Sequence, residues 1–174
     1  MSAGPEPANS LAALLAHALE LEHASHERYT ELAAGMALHH NQPAAAAFRR
    51  LAEFAGREVA RVEARTQGVG LPCLAPWEFD WSVGGTELVL GGDLEQVDYL
   101  MDVARVLELG IRDAARQRDF YAAQAARATT PAVRDLAAEL TAASHARCER
   151  ITQWRVACAT GESVDDWDPP NLPE

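Results

Sequence analysis

Apolar residues recur along this chain at helical spacing in four long runs. The first passes through Leu11, Leu14, Leu15, Ala18, Leu21, Tyr29, Leu32 and Met36. Asn9 or Ser10 can cap it, and it should end near His39 and His40. Phe48, Leu51, Ala52, Phe54, Ala55, Val59 and Val62 predict a second helix from about Pro43 to Thr66, since Pro suits the first helical position. Leu100, Val103, Leu107, Gly110, Ile111, Ala114, Phe120 and Tyr121 predict a third, opened by Asp93 with Gln96 as a capping box. Val133, Leu136, Leu140, Ile151 and Trp154 predict a fourth from Pro131 to about Ala159, stopped by Gly161. The first stripe is interrupted by Glu22, Ser25 and the Tyr29 hydroxyl. A carboxylate on an inward stripe is costly unless it is paired, protonated or bound to a cation.

The helices come as two pairs with short turns, joined by a long connection over 68–93. There Trp77, Phe79 and Trp81 alternate, as in a short extended segment packed on a bundle. That spacing predicts an all-α fold: a ferritin-like antiparallel four-helix bundle with a long crossover between helices 2 and 3. The bundle should occupy 1–161, followed by an acidic, Pro-rich tail over 162–174. The tail carries Glu162, Asp165, Asp166, Asp168 and Glu174 and no base. It either stays solvated or docks through Trp167 and Leu172.

The formal net charge is -11, and Arg supplies all 15 basic residues. Such a chain repels phosphates, which argues against nucleic acid or an anionic membrane as partner. No apolar run approaches the roughly 20 residues that span a bilayer, and the first ten residues lack the basic start and apolar run of a secretory signal. The expectation is a soluble, cytoplasmic protein. Cys73, Cys148 and Cys158 show no CxxC spacing, so reduced thiols are expected and no rubredoxin-type iron centre.

Several segments carry a family resemblance: ERYTELA on helix 1, FRRLAEFAGREVARVE on helix 2, LPCLAPWEFDW in the crossover, VRDLAAELTAASHARCE on helix 4 and the closing DPPNLPE. Together they resemble the rubrerythrin-like branch of the ferritin-like superfamily, in its short form without a rubredoxin domain. The resemblance implies a mid-bundle di-iron centre, with one Glu each from helices 1 and 3 and a Glu-x-x-His pair each from helices 2 and 4. Residues three apart share a helix face, so each pair presents an oxygen and a nitrogen to one space. Carried over, the helix 1 ligand falls on Glu22. The helix 2 pair falls on Ala55 and Glu58, the helix 3 ligand on Ala114, and the helix 4 pair on Ala142 and His145. Asp113 adjoins Ala114 but lies about 100° round the helix.

Three of six ligand positions are thus Ala, and the family's peroxide reduction or ferrous-iron oxidation is not carried over. Two readings follow. In one, Glu22, Glu58 and His145, with His26 as a weaker fourth ligand, hold a single Fe, Mn or Zn ion in an altered mononuclear redox site. In the other, which is favoured, no cofactor binds and the polar residues satisfy one another, with Arg57, Arg61, Arg118 or Arg147 as counter-ion. The protein then has lost most di-iron ligands, is not an enzyme of the family type, and has a binding or structural role. In that role a homodimer through bundle faces is expected, and the tail offers a surface for a protein partner. His17, His39 and His40 are expected to be exposed or terminal.

Overall fold

The computed structural model describes residues 10–73, 82–83, 86–87 and 97–160. The elements are α1 (Leu11–Leu38), α2 (Gln42–Thr66), β1 (Ser82–Val83), β2 (Thr86–Glu87), α3 (Val103–Arg127) and α4 (Pro131–Thr160). The two short strands pair antiparallel, Ser82 with Glu87 and Val83 with Thr86. Their segment belongs to the crossover. Trp77, Phe79 and Trp81 lie outside the described residues, as does the tail.

The ends of the first two helices follow from local hydrogen bonding. Ser10 accepts from the Ala13 N–H at 3.1 Å and opens α1. At its other end His40 adopts φ 61°. The His40 N–H donates to Ala37 O at 3.1 Å and the Asn41 N–H to Met36 O at 2.9 Å. This pair of bonds satisfies the last carbonyls and turns the chain in a Schellman motif. Asn41 then caps α2 by accepting from the Ala44 N–H at 3.3 Å. Its amide also donates to Tyr99 O at 2.9 Å and Met101 O at 2.8 Å. One side chain therefore ties the α1–α2 turn to the segment entering α3.

That segment corrects the expected start of the third helix. Asp93 and Gln96 lie outside the described residues, but residues 97–102 are not helical. Asp98 holds a turn there, accepting from the Leu100 N–H at 2.9 Å. The cap is Asp102, which accepts from the Arg105 N–H at 2.8 Å. Leu100, expected to be buried, consequently points outward and is 89% exposed.

The helices pack as two antiparallel hairpins, α1 with α2 and α3 with α4. Where α2 meets α3, Gly110 lets the two approach: a Cβ there would lie 2.9 Å from Leu51 Cδ2. The apolar core falls into two parts. One end contains Tyr29, Phe48, Leu51, Phe54, Leu107, Ile151 and Trp154. The other contains Leu14, Leu15, Leu21, Val62, Phe120, Tyr121, Val133 and Leu140. His17, expected to be exposed, is buried near this second part, its Nδ1 2.8 Å from Ala13 O. Between the two parts every helix contributes small or polar side chains.

Candidate functional site

That intermediate layer is built from residues at three- and four-residue spacing, which place side chains on one helix face. Helix α1 contributes Glu22, Ser25 and Tyr29, and α2 contributes Ala55 and Glu58. Helix α3 contributes Ala114 and Gln117, with Tyr121 next in line. Helix α4 contributes Ser144 and Arg147. Ala55 and Ala114 are each 1% exposed, so both face inward as expected.

Arg147 organises the layer. Its Nη2 donates to Glu22 Oε1 at 2.8 Å and its Nη1 to Gln117 Oε1 at 2.8 Å. Gln117 Nε2 donates onward to Ser25 Oγ at 3.1 Å, and the Ser25 hydroxyl donates to Leu21 O at 2.8 Å. Three helices are joined by one polar chain.

Glu22 and Arg147 are both withdrawn from water, with side chains 4% and 12% exposed. Burial pushes the Glu22 carboxyl above the ordinary carboxylate range; Arg147 pulls it back down, and Glu58 pushes it up again. For Arg147, burial alone favours proton release, but the attraction and hydrogen bond of Glu22 outweigh it and hold the guanidinium above its ordinary value. Burial, followed by the negative charge of Glu22, raises the Tyr121 phenol well above its usual range. Glu22 Oε2 and the Tyr121 hydroxyl are buried with no hydrogen-bond partner among the described residues.

A second polar group lies beside this one. Asp113 Oδ2 accepts from the Tyr29 hydroxyl at 2.6 Å and from Arg28 Nη2. Arg116 approaches its other oxygen at 3.7 Å. Burial, then the Asp113 charge, raises the Tyr29 phenol well above its ordinary value. Asp113 thus closes an α1–α3 contact and is committed to two cations and a phenol.

The candidate ligands do not gather. Glu22 is inside the layer. Glu58 sits at its edge, 16% exposed, paired with Arg61 at 3.1 Å. His145 points outward with its side chain 57% exposed and meets Glu149 at 3.5 Å, one turn along the same helix. His26 is exposed, its Nδ1 2.8 Å from Ala52 O on α2. Its ring lies over Gly56, where a Cβ would stand 3.3 Å from Nδ1. Among the described residues, no three His, Cys, Asp or Glu side chains form a group that could hold a metal ion.

The cause is the register of α4. Its buried positions run Leu140, Ser144, Ile151 and Trp154, with Arg147 in the same row. The inward pair at three-residue spacing is therefore Ser144 and Arg147, while Ala142 and His145 are exposed. His145 follows Ser144 directly and so lies about 100° round the helix. The signal was present in the sequence. Leu140, Ile151 and Trp154 fix a 4-3-4-3 stripe whose middle members are Ser144 and Arg147. Arg147 was one of four candidate counter-ions; Gln117 and Ser144 were not singled out.

Among the described residues no helix is long and apolar enough to cross a membrane. No family model matches the chain, and no curated protein matches it. Among solved structures it is similar to the crystal structure of an uncharacterized conserved protein from Magnetospirillum magnetotacticum MS-1. The two share 28% sequence identity at a TM-score of 0.63, over 84% of this chain and 94% of that one. What they have in common is the helical bundle. In this chain two hairpins joined by a long crossover form the ferritin-like four-helix bundle that the sequence predicted.

Proposed function

We propose that this protein is a ferritin-like, rubrerythrin-related bundle in which an internal ion pair stands where the resemblance places a di-iron centre, and that it serves a binding or structural role. The observation that carries the reading is the Arg147 guanidinium, 2.8 Å from Glu22 Oε1 and 2.8 Å from Gln117 Oε1. Donor chemistry supports it. Two irons need several bridging carboxylates, and among the described residues this layer offers Glu22 and Glu58 alone. The permanent positive charge of Arg147 beside Glu22 opposes a dication on the same carboxylate. Ala55 and Ala114 supply no ligand atoms.

A single Fe, Mn or Zn ion at Glu22, Glu58 and His145 is the competing reading, and the unpartnered Glu22 Oε2 speaks for it. It requires Arg147 to leave Glu22 and His145, 57% exposed beside Glu149, to turn inward from the outer face of α4. Mass spectrometry for metals on untagged protein, before and after anaerobic Fe(II) loading, separates the two. The ion-pair reading expects negligible metal both times. About one metal per chain, lost in Glu22→Ala, would establish the mononuclear site instead. A homodimer completes the proposal. The exposed Tyr99, Leu100 and Val156 near one end of the bundle give it an apolar surface, and sedimentation analysis reports its mass.

A further inference from the structure

On the side where α2 faces α4 the bundle opens into a cleft of about 240 Å³. Phe54, Arg57, Glu58, Arg61, Arg147 and Arg150 line it, together with two alanines of α4. Four guanidinium groups thus share one small space with a single carboxylate of its own lining. Arg147 is matched by Glu22 and Arg61 by Glu58. Arg57 and Arg150 lie against the Phe54 ring, 4.9 and 5.8 Å from its centre. Neither makes an ion pair with a carboxylate among the described residues. The cleft therefore holds two uncompensated positive charges, in a chain whose formal net charge is -11.

This arrangement is suited to an anion. Each guanidinium presents a fixed fork of N–H donors that matches the oxygens of a phosphate or carboxylate. Like charges held on one aromatic ring repel, and an anion between them removes that cost. The inner wall is fixed in advance, because Arg147 is anchored by Glu22 and Gln117. The two alanines leave room where longer side chains would fill the cleft. Two charges and several donor directions favour a compact, doubly charged, tetrahedral group over a monocarboxylate.

We propose that the cleft between α2 and α4 binds a phosphate-type oxyanion, as free phosphate or as the phosphate of a monoester, through Arg57 and Arg150 against the wall formed by Arg147. The inference names a ligand class for the binding role proposed above and rests on that reading, since the paired Arg147 is part of the cleft.

Titration calorimetry at low ionic strength, with inorganic phosphate and separately with glycerol phosphate, tests it on the full chain. One saturable site per chain is expected. Arg57→Gln/Arg150→Gln should weaken binding by about ten-fold or more, while circular dichroism and the melting temperature without phosphate stay at the parent values or rise. Tighter binding of the ester assigns the site to a phosphorylated metabolite, and equal or weaker binding assigns it to the free anion. Absence of saturable binding overturns the proposal. So does binding that the double variant leaves unchanged, which would mark general surface attraction. Metal content measured on the same sample reports separately on the ion pair. Absent phosphate binding in metal-free protein defeats this inference alone, whereas metal-loaded protein defeats the reading beneath it.

Discussion

Replacing Arg147 by Met should reveal how much of the fold depends on the buried ion pair. The Met side chain fills much of the same volume but leaves the Glu22 carboxylate, 4% exposed, without its counter-charge. Breaking a buried pair by removing one partner costs about 3–5 kcal/mol. In a domain of this size that lowers the melting temperature by roughly 6–20 °C. The loss should depend on pH with a definite sign. Glu22 already titrates above its ordinary value of 4.5, burial being the main cause, and Arg147 is the strongest force opposing that rise. Without Arg147 its pKa in the folded chain moves higher still. A carboxyl raised in this way stabilises the fold when protonated; that stability is complete below the unfolded pKa and is lost as pH climbs through the folded one. The deficit of Arg147→Met against the parent is therefore largest near neutral pH and shrinks as pH approaches 4.5. Glu22→Leu/Arg147→Met should recover most of it, because no buried charge remains. The recovery falls short by ~1 kcal/mol for the bond that Gln117 loses. Urea unfolding followed by circular dichroism at acid and neutral pH gives all three quantities. Equal stability of Arg147→Met and parent at neutral pH, or a deficit that grows in acid, would refute the reasoning.

Three further substitutions probe the surrounding structure. Gly110→Ala gains about 1 kcal/mol of helix propensity, but its Cβ meets Leu51 Cδ2 at 2.9 Å in a filled core, and overpacking costs about 1–3 kcal/mol. A net loss of stability is expected on thermal melting, and a stabilised variant would show that α2 and α3 can move apart freely. Asn41→Ala removes the α2 cap and both bonds to the chain before α3, costing roughly 1–3 kcal/mol. Amide exchange should rise both at the start of α2 and around Tyr99 and Met101, and a rise confined to α2 would sever the proposed link. His145→Ala removes an exposed pair with Glu149 and should change stability by less than about 0.5 kcal/mol. A larger effect, or a change in metal content, would place His145 in the site after all.

The helices and their pairing were legible because each signal was local. Ser10, Asn41 and Pro131 punctuate the chain where α1, α2 and α4 begin, and the apolar stripes match the buried faces. The start of α3 was misplaced because Asp93 with Gln96 satisfies a short pattern, whereas Asp102 caps through a bond that requires the actual turn at Asp98. Within the site, Glu22 stood out as a carboxylate on an apolar stripe, and Ala55 and Ala114 were placed correctly. The α4 register was not, because the resemblance puts the pair on Ala142 and His145, two positions before the inward Ser144 and Arg147. An arginine is among the residue types least often buried, so its type alone does not mark it as part of an inward stripe. Such a position becomes readable only with its partner. Glu22, 125 residues earlier, needs a cation, and Arg147 on the inward row of α4 supplies it.

In the proposed function Arg147, and no metal ion, neutralises Glu22 inside the bundle. Crystals soaked in Fe(II) under anaerobic conditions, with anomalous diffraction recorded at the iron edge, address it most directly. The expected result is no anomalous peak in the mid-bundle layer and the Arg147 guanidinium within hydrogen-bonding distance of Glu22 and Gln117. A peak on Glu22 and Glu58, with Arg147 turned away toward the α2–α4 cleft, would contradict it.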